Sequence, residues 1–237
     1  MLKSIIGNGD RLNIIYFTDP LCCWSWVFEP VWQQLRDTLA PVLTYQYCMG
    51  GMLSSWNEYN DTVNAVTRPI QMGPVWLHAK YISGTYINDR LWFTDPPASS
   101  YPACVAVKSA GMQSAAAGEL YLYKLREAAL VNSKNIARKE VLLEIACEVQ
   151  RELKSSFNYD LFLKQLTSAD IINQFKSDLE LVRLHGISRF PSLLIRVEGK
   201  KQSVIVTGYR PYEAIMATIE ALVTMSDAGV PIKTGPN

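Results

Sequence analysis

Residues 12–18, Leu-Asn-Ile-Ile-Tyr-Phe-Thr, form a nearly continuous apolar run rich in strand formers. Such a run suits a strand covered on both faces, as in an α/β sheet. It stops at Asp19-Pro20, because proline restricts the residue before it. The pattern then predicts a helix from about Ser25 to Leu39, ending before Pro41, and a second strand over 42–48 closed by Gly50-Gly51. The chain therefore opens β-α-β. Cys22 and Cys23 fall at the strand-to-helix turn.

The middle of the chain changes period. Residues 52–75, rich in Asn, Pro, Gly and Met, predict an irregular connection, followed by helices around 74–83 and 101–116. Tyr121, Leu122, Leu125, Ala128 and Ala129 repeat at helical spacing, and so do Val141, Leu142, Ile145, Ala146 and Val149. Ile171, Ile172, Phe175, Leu179 and Val182 share a face over 168–185, with Thr167 and Asp170 as a loose capping pair and Gly186 as the stop. Strands return at 190–197 and 203–206 around a turn at 198–201. A last helix opens near Pro211 and buries Ile215, Ile219, Leu222 and Val223. The expected division is residues 8–60 with 187–226 as one α/β domain and 61–186 as an inserted, mainly helical domain. Residues 227–237, with Gly229, Pro231, Gly235 and Pro236, are expected to be a flexible tail.

Charge narrows the function. Of 237 residues, 23 are basic and 22 acidic, spread along the chain, so the footprint of a nucleic-acid binder is missing. No run approaches the roughly 18 apolar residues of a membrane span, and the first residues lack a secretory apolar stretch. The expectation is a cytoplasmic protein with no membrane association, where thiols stay reduced. The odd set of five cysteines, Cys22, Cys23, Cys48, Cys104 and Cys147, then reads as free thiols and not as a disulfide framework.

Cys22 stands directly before a helix, where unpaired N–H groups and the helix dipole favour an anion. A thiol so placed can have a lowered pKa, and only the thiolate attacks. The plainer alternative is that Cys22 and Cys23 are small buried residues. The segment Asp19-Pro20-Leu21-Cys22-Cys23-Trp24 resembles the active-site turn of the DsbA-like thioredoxin family. The order β-α-β, helices, β-β-α is similar to that family too. Gly186-Ile187-Ser188-Arg189-Phe190-Pro191-Ser192 resembles its cis-proline loop, and Gly208-Tyr209-Arg210-Pro211 the opening of its last helix. The likeness covers nearly the whole chain. It implies an α/β thioredoxin fold with a large helical insertion, a reactive Cys22, a cis Pro191, and Phe190 as the residue whose backbone docks an extended peptide.

One departure matters. Where the family's dithiol members have C-x-x-C, this chain has Ser25, and serine cannot attack a mixed disulfide to release it. Cys23 would need a strained ring of unusual geometry. The rest could resolve only if the fold brings one of them close: Cys48, at the end of the neighbouring strand, ranks first of the three, Cys147 belongs to an apolar stripe and is expected in the core, and Cys104 sits on a helix facing the cleft. Ser25 has two compatible readings, as a donor to the Cys22 thiolate and as the cap of the helix. Trp24 offers an apolar wall at the turn. His185 reads as a helix C-terminal residue, His78 has no partner in sequence, and no metal site is expected. The aromatic stretch from Trp92 to Tyr101 reads equally as a groove wall or a rigid connection, and no spacing selects among Glu29, Glu58, Asp61 and Asp95.

Three functions compete. The first is monothiol chemistry, with Cys22 and Ser25 catalytic and Cys23, Trp24, Phe190 and Pro191 binding substrate. It would isomerise disulfides or exchange with glutathione as co-substrate, with no tightly bound cofactor. Its partners are protein or small-molecule thiols and disulfides, and a homodimer is compatible with it. The second draws on a more distant resemblance to kappa-class glutathione transferases, whose turn reads Ser-x-x-Ser-Trp. The third is a non-catalytic cytoplasmic adaptor that uses the peptide groove to present a client to a protease.

Overall fold

Leu12–Thr18 forms strand β1, buried almost throughout as its continuous apolar run requires. The computed structural model describes residues 11–224 and 232–234. β1 pairs in parallel with β2 (Leu43–Met49), from Leu12 opposite Leu43 to Thr18 opposite Met49. On its other side it pairs antiparallel with β3 (Ser192–Val197), which continues antiparallel to β4 (Ser203–Thr207). A short β5 (Ile232–Thr234) runs parallel to β4, giving the order β2-β1-β3-β4-β5. The expected tail at 227–237 lies largely outside the described residues, but its described part is this strand. Three residues are too few for an alternation to be read in sequence.

The period of two along β1 divides the core. Ile14 and Tyr16 face one side with Trp32, Leu35, Ile195 and Ile219, while Ile15 and Phe17 face the other with Cys48 and Leu194. Each large apolar side chain buried this way contributes about 1.5–3 kcal/mol. The first side is covered by α2 (Glu29–Leu39) and, at the end of the chain, by α10 (Tyr212–Thr224). The single helix expected over 25–39 is in fact two: α1 (Cys23–Val27) stops at Phe28. Pro30 lacks the N–H that would continue the ladder and is accommodated in the first turn of α2.

Between β2 and β3 lie α3 (Met72–Ser83), α4 (Leu91–Thr94), α5 (Tyr101–Gly111), α6 (Ala115–Arg126), α7 (Lys139–Leu153), α8 (Tyr159–Gln165) and α9 (Ala169–Leu184). The helix expected over 101–116 breaks after Gly111. α5 and α6 cross so closely there that a Cβ on Gly118 would lie 2.9 Å from the Gly111 Cα. Ser114 restarts the chain as N-cap, accepting the Ala117 N–H. α9 is capped by Ser168, whose Oγ accepts the Ile171 N–H at 3.3 Å, and not by Thr167. Gly186 ends it in the left-handed region, φ +60°.

Candidate functional site

The turn after β1 is built around a carboxylate. Asp19 Oδ1 accepts the Leu21 N–H at 2.9 Å, while Oδ2 accepts from Met52 N at 2.7 Å, Ser100 Oγ at 2.8 Å and the Cys104 thiol at 3.5 Å. One buried side chain therefore ties the cysteine turn to the loop after β2 and to α5. Burial pushes the Asp19 pKa up, and the Leu21, Met52 and Ser100 bonds oppose that rise.

Cys22 is itself the N-cap of α1: its Sγ accepts the Ser25 N–H at 3.4 Å. The thiol also donates to the Phe190 carbonyl at 3.4 Å, across a cis Phe190–Pro191 bond. Pro191 is held in turn by its carbonyl, which accepts the Gly208 N–H at 2.8 Å. The Phe190 ring packs against Gly50, so what Phe190 presents toward the sulfur is its backbone. Ser25 does not cap the helix. Its hydroxyl is buried without an oxygen or nitrogen partner, beside the sulfur.

Only 5% of Cys22 is exposed. Burial pushes its thiol above the ordinary range; the Ser25 hydroxyl and N–H pull it down, Asp19 pushes it up, and Arg126 pulls it down. The lowering expected at a helix N-terminus is thus overturned. α1 is five residues long and offers little dipole, while desolvation disfavours the thiolate.

The remaining thiols point elsewhere. Cys23 packs into the core of the helical segment, and Cys48 donates to the Asp178 carbonyl of α9 at 3.4 Å. Cys104 lies beneath Asp19, fully buried, so it reaches the site from below and not from the cleft. Cys147, expected in the core, is exposed on α7 because its position falls between the buried Ala146 and Val149. All five are free.

Trp24 is partly exposed, its ring 6.0 Å from His78 and 6.1 Å from Tyr209. His185 caps α9 and lies 6.0 Å from the Phe17 ring, and burial pushes its pKa down. The stretch from Trp92 is anchored at its two ends and open between them: Trp92 packs edge-on against Trp76 and Trp56, Ser100 bonds Asp19, and Phe93 is 56% exposed. Among the described residues no group of three or more His, Cys, Asp or Glu side chains is arranged to hold a metal ion.

Sequence reasoning missed Arg126. It reaches from the end of α6 beneath the site, 1% exposed, bonding Thr18 Oγ1 and Glu29 Oε2 (the latter at 2.5 Å), with its guanidinium 6.0 Å from the Tyr16 ring centre. A signal existed, since position 126 is four residues after Leu122 and so on the apolar face of its helix.

A sheet of this order, a cysteine capping the first helix and a cis-proline loop facing its sulfur define a DsbA-like thioredoxin fold. The thioredoxin family model matches residues 16–217, and the chain belongs to that family. Among curated proteins it is similar to the ClpXP adapter protein SpxH of Halalkalibacterium halodurans, 25% identical over 213 residues, covering 90% of this chain and 68% of that one. Among solved structures it is similar to a Nitrosomonas europaea protein provisionally assigned as a protein disulfide isomerase, with TM-score 0.71, 22% identity and coverage of 89% and 97%. The cytosolic disulfide reductase DsbM of Pseudomonas aeruginosa, also solved with GSH, superposes with TM-score 0.66, 20% identity and coverage of 89% and 99%. At these identities the structural likeness is one of fold. No helix among the described residues is long and apolar enough to cross a membrane.

Proposed function

We propose that this chain is a client-binding protein of the adapter kind, whose groove between Cys22 and the Phe190–Pro191 loop seats an extended protein segment without an internal disulfide cycle. One observation carries this: the Cys22 sulfur is bonded to the Phe190 carbonyl and the Ser25 N–H, while the other thiols are engaged or directed elsewhere. A thiol held above its ordinary pKa is a poor nucleophile, and no second cysteine is poised to release what it captures.

The carbonyl of Phe190 now accepts only a weak sulfur donor. A backbone N–H from an incoming strand would replace it with a bond worth about 0.5–1.5 kcal/mol net. Trp24, His78 and Tyr209 supply an aromatic flank for side chains of that strand. The relatives named as ClpXP adapters favour a protein partner, with the client presented to ClpXP in the cytoplasm. In this reading the helical segment 61–186 is a distinct inserted unit that walls the groove.

The unpartnered Ser25 hydroxyl favours a second reading. Once Cys22 ionises, that hydroxyl joins the Ser25 N–H as a second donor to the sulfur. The thiolate would attack a client disulfide, forming a mixed disulfide and expelling one client thiolate. An external thiol such as glutathione then attacks that bond and frees Cys22.

Rapid alkylation of cells followed by capture of the chain separates these readings. The adapter reading expects the same proteins on wild type and Cys22→Ala, loss of them on Trp24→Ala, and faster degradation of the captured client by ClpXP when wild type is added. Partners joined only through a Cys22 disulfide would overturn it in favour of monothiol exchange. Reversible glutathione binding that survives Cys22→Ser would instead point to chemistry of the glutathione-transferase type.

A further inference from the structure

A second concave region lies between α6 and the α1–α2 pair. It is a cleft of about 560 Å³ whose walls include Trp26, Glu29, Tyr47, Leu120, Tyr123 and Arg126. That volume lies within the range of about 300–1,000 Å³ usual for small-ligand sites. Cys22 and the proline loop do not line it, so it stands apart from the groove discussed above.

Two guanidiniums border the cleft, and neither offers it an open donor: their Nη1 and Nη2 groups are paired, and the Nε of each is buried without a partner among the described residues. Arg126 is 1% exposed and bonded to Glu29 and Thr18, while Arg36 is bonded to Glu119, Gln33 and the Tyr45 hydroxyl. The carboxylate side of the first pair is not spent. Glu29 keeps 19% of its side chain accessible, and its Oε1 has no hydrogen-bond partner among the described residues. A ligand entering there meets an open carboxylate oxygen before it meets a free positive charge.

Two neighbouring aromatic rings line the same cleft. The Trp26 and Tyr123 rings are 5.5 Å apart at 48°, and Tyr123 is 42% exposed. Trp26 is fixed by its own Nε1–H, which donates to the Tyr86 carbonyl at 3.3 Å. Aromatic faces attract cations through their quadrupole, and a carboxylate adds a directed acceptor. Each carboxylate is balanced by its guanidinium, so an anion would gain no net charge and no open donor, and a neutral group would leave Oε1 without a charged partner.

We propose that this cleft binds an organic cation, an amine or guanidine whose charged head meets Glu29 Oε1 and whose apolar body lies along Trp26, Tyr123 and Leu120. Either a free amine or the lysine or arginine side chain of a protein supplies that chemistry.

The test follows the Trp26 indole N–H resonance of the full chain during titration with benzylamine, benzyl alcohol and benzoate. Benzylamine is expected to shift it saturably in the millimolar range, benzoate to leave it unmoved, and benzyl alcohol to bind at least tenfold more weakly. Glu29→Gln and Tyr123→Ala should each weaken benzylamine about tenfold. Tyr123→Ala keeps the Glu29–Arg126 pair and so decides the matter should Glu29→Gln unfold. A capped Gly-Lys-Gly peptide that binds more tightly than benzylamine assigns the site to protein side chains, and a weaker one assigns it to free amines. Equal binding of alcohol and amine, indifference to Tyr123→Ala, or no saturation with benzylamine would overturn the proposal.

Discussion

Gly50→Ala tests how the proline loop is held. A Cβ at Gly50 would stand 2.1 Å from Phe190 Cζ and 2.3 Å from Cε1, far inside contact distance. The backbone cannot yield readily, because the Gly50 N–H donates to the Thr18 carbonyl at 2.6 Å. The ring must swing away from the cluster of Phe17, Cys48 and Leu194 on which it packs. Overpacking of this kind costs about 1–3 kcal/mol. For a chain of this size each kcal/mol lowers Tm by about 2–4 °C, so a central cost of about 2 kcal/mol gives about 4–8 °C. The displaced loop also loosens the Phe190 carbonyl from the Cys22 thiol, so iodoacetamide should label Cys22 several-fold faster. Adding Phe190→Ala removes the clashing ring, and the double-mutant cycle should show coupling of about 1 kcal/mol or more. A neutral Gly50→Ala, unchanged labelling, or strict additivity with Phe190→Ala would refute the argument.

Three further outcomes are expected. Cys22 has its thiol pKa raised, so it stays protonated through neutral pH and its labelling rate should climb only as pH passes above the ordinary thiol value; Ser25→Ala removes a group that pulls it down and should move that climb to still higher pH, whereas an unchanged profile would show that the hydroxyl does not reach the sulfur. Ser25→Cys restores a second thiol beside Cys22 and should let oxidised glutathione close an internal disulfide, seen as two fewer labelled thiols than in the reduced protein; a stable glutathione adduct with no ring closure would contradict the geometry. Glu29→Gln leaves the buried Arg126 guanidinium uncompensated and should cost about 3–5 kcal/mol in urea unfolding, more than Arg126→Met, which leaves a carboxylate that water can reach; equal losses would count against this asymmetry.

The strands were the most legible part of the fold. β1 needed only its unbroken apolar run, and the hairpin of β3 and β4 announced itself through the turn at 198–201. The helices were legible as faces and not as lengths. α1 and α2 follow one another with a single residue between them, so the pattern merged them, although α1 packs into the helical segment, α2 packs on the sheet, and Pro30 was visible at the break. α5 and α6 were legible as separate helices with the boundary about five residues late, and there the deciding facts are the close crossing of Gly111 and Gly118 and the Ser114 N-cap. α4 and α8 are too short for a helical period to repeat, and β5 too short for an alternation.

At the site, Cys22, Ser25, Phe190 and Pro191 were legible because their identities and turns are local. The groups that set their chemistry are not. Ser100, Cys104 and Arg126 come from the helical segment, more distant in sequence than any pattern can reach. The expected lowering of the Cys22 pKa assumed a long helix and an open sulfur. The structure supplies a helix of five residues and a sulfur covered by the Phe190 carbonyl. A client strand laid along that loop would add to the covering, and desolvation would move the thiol further from ionisation. Monothiol exchange therefore requires the loop to open and water to reach the sulfur, while seating a strand requires only that a stronger donor replace the thiol at the Phe190 carbonyl. The two readings make opposite demands on the same few atoms, so a client that slows Cys22 labelling as it binds supports the adapter, and one that speeds it supports exchange.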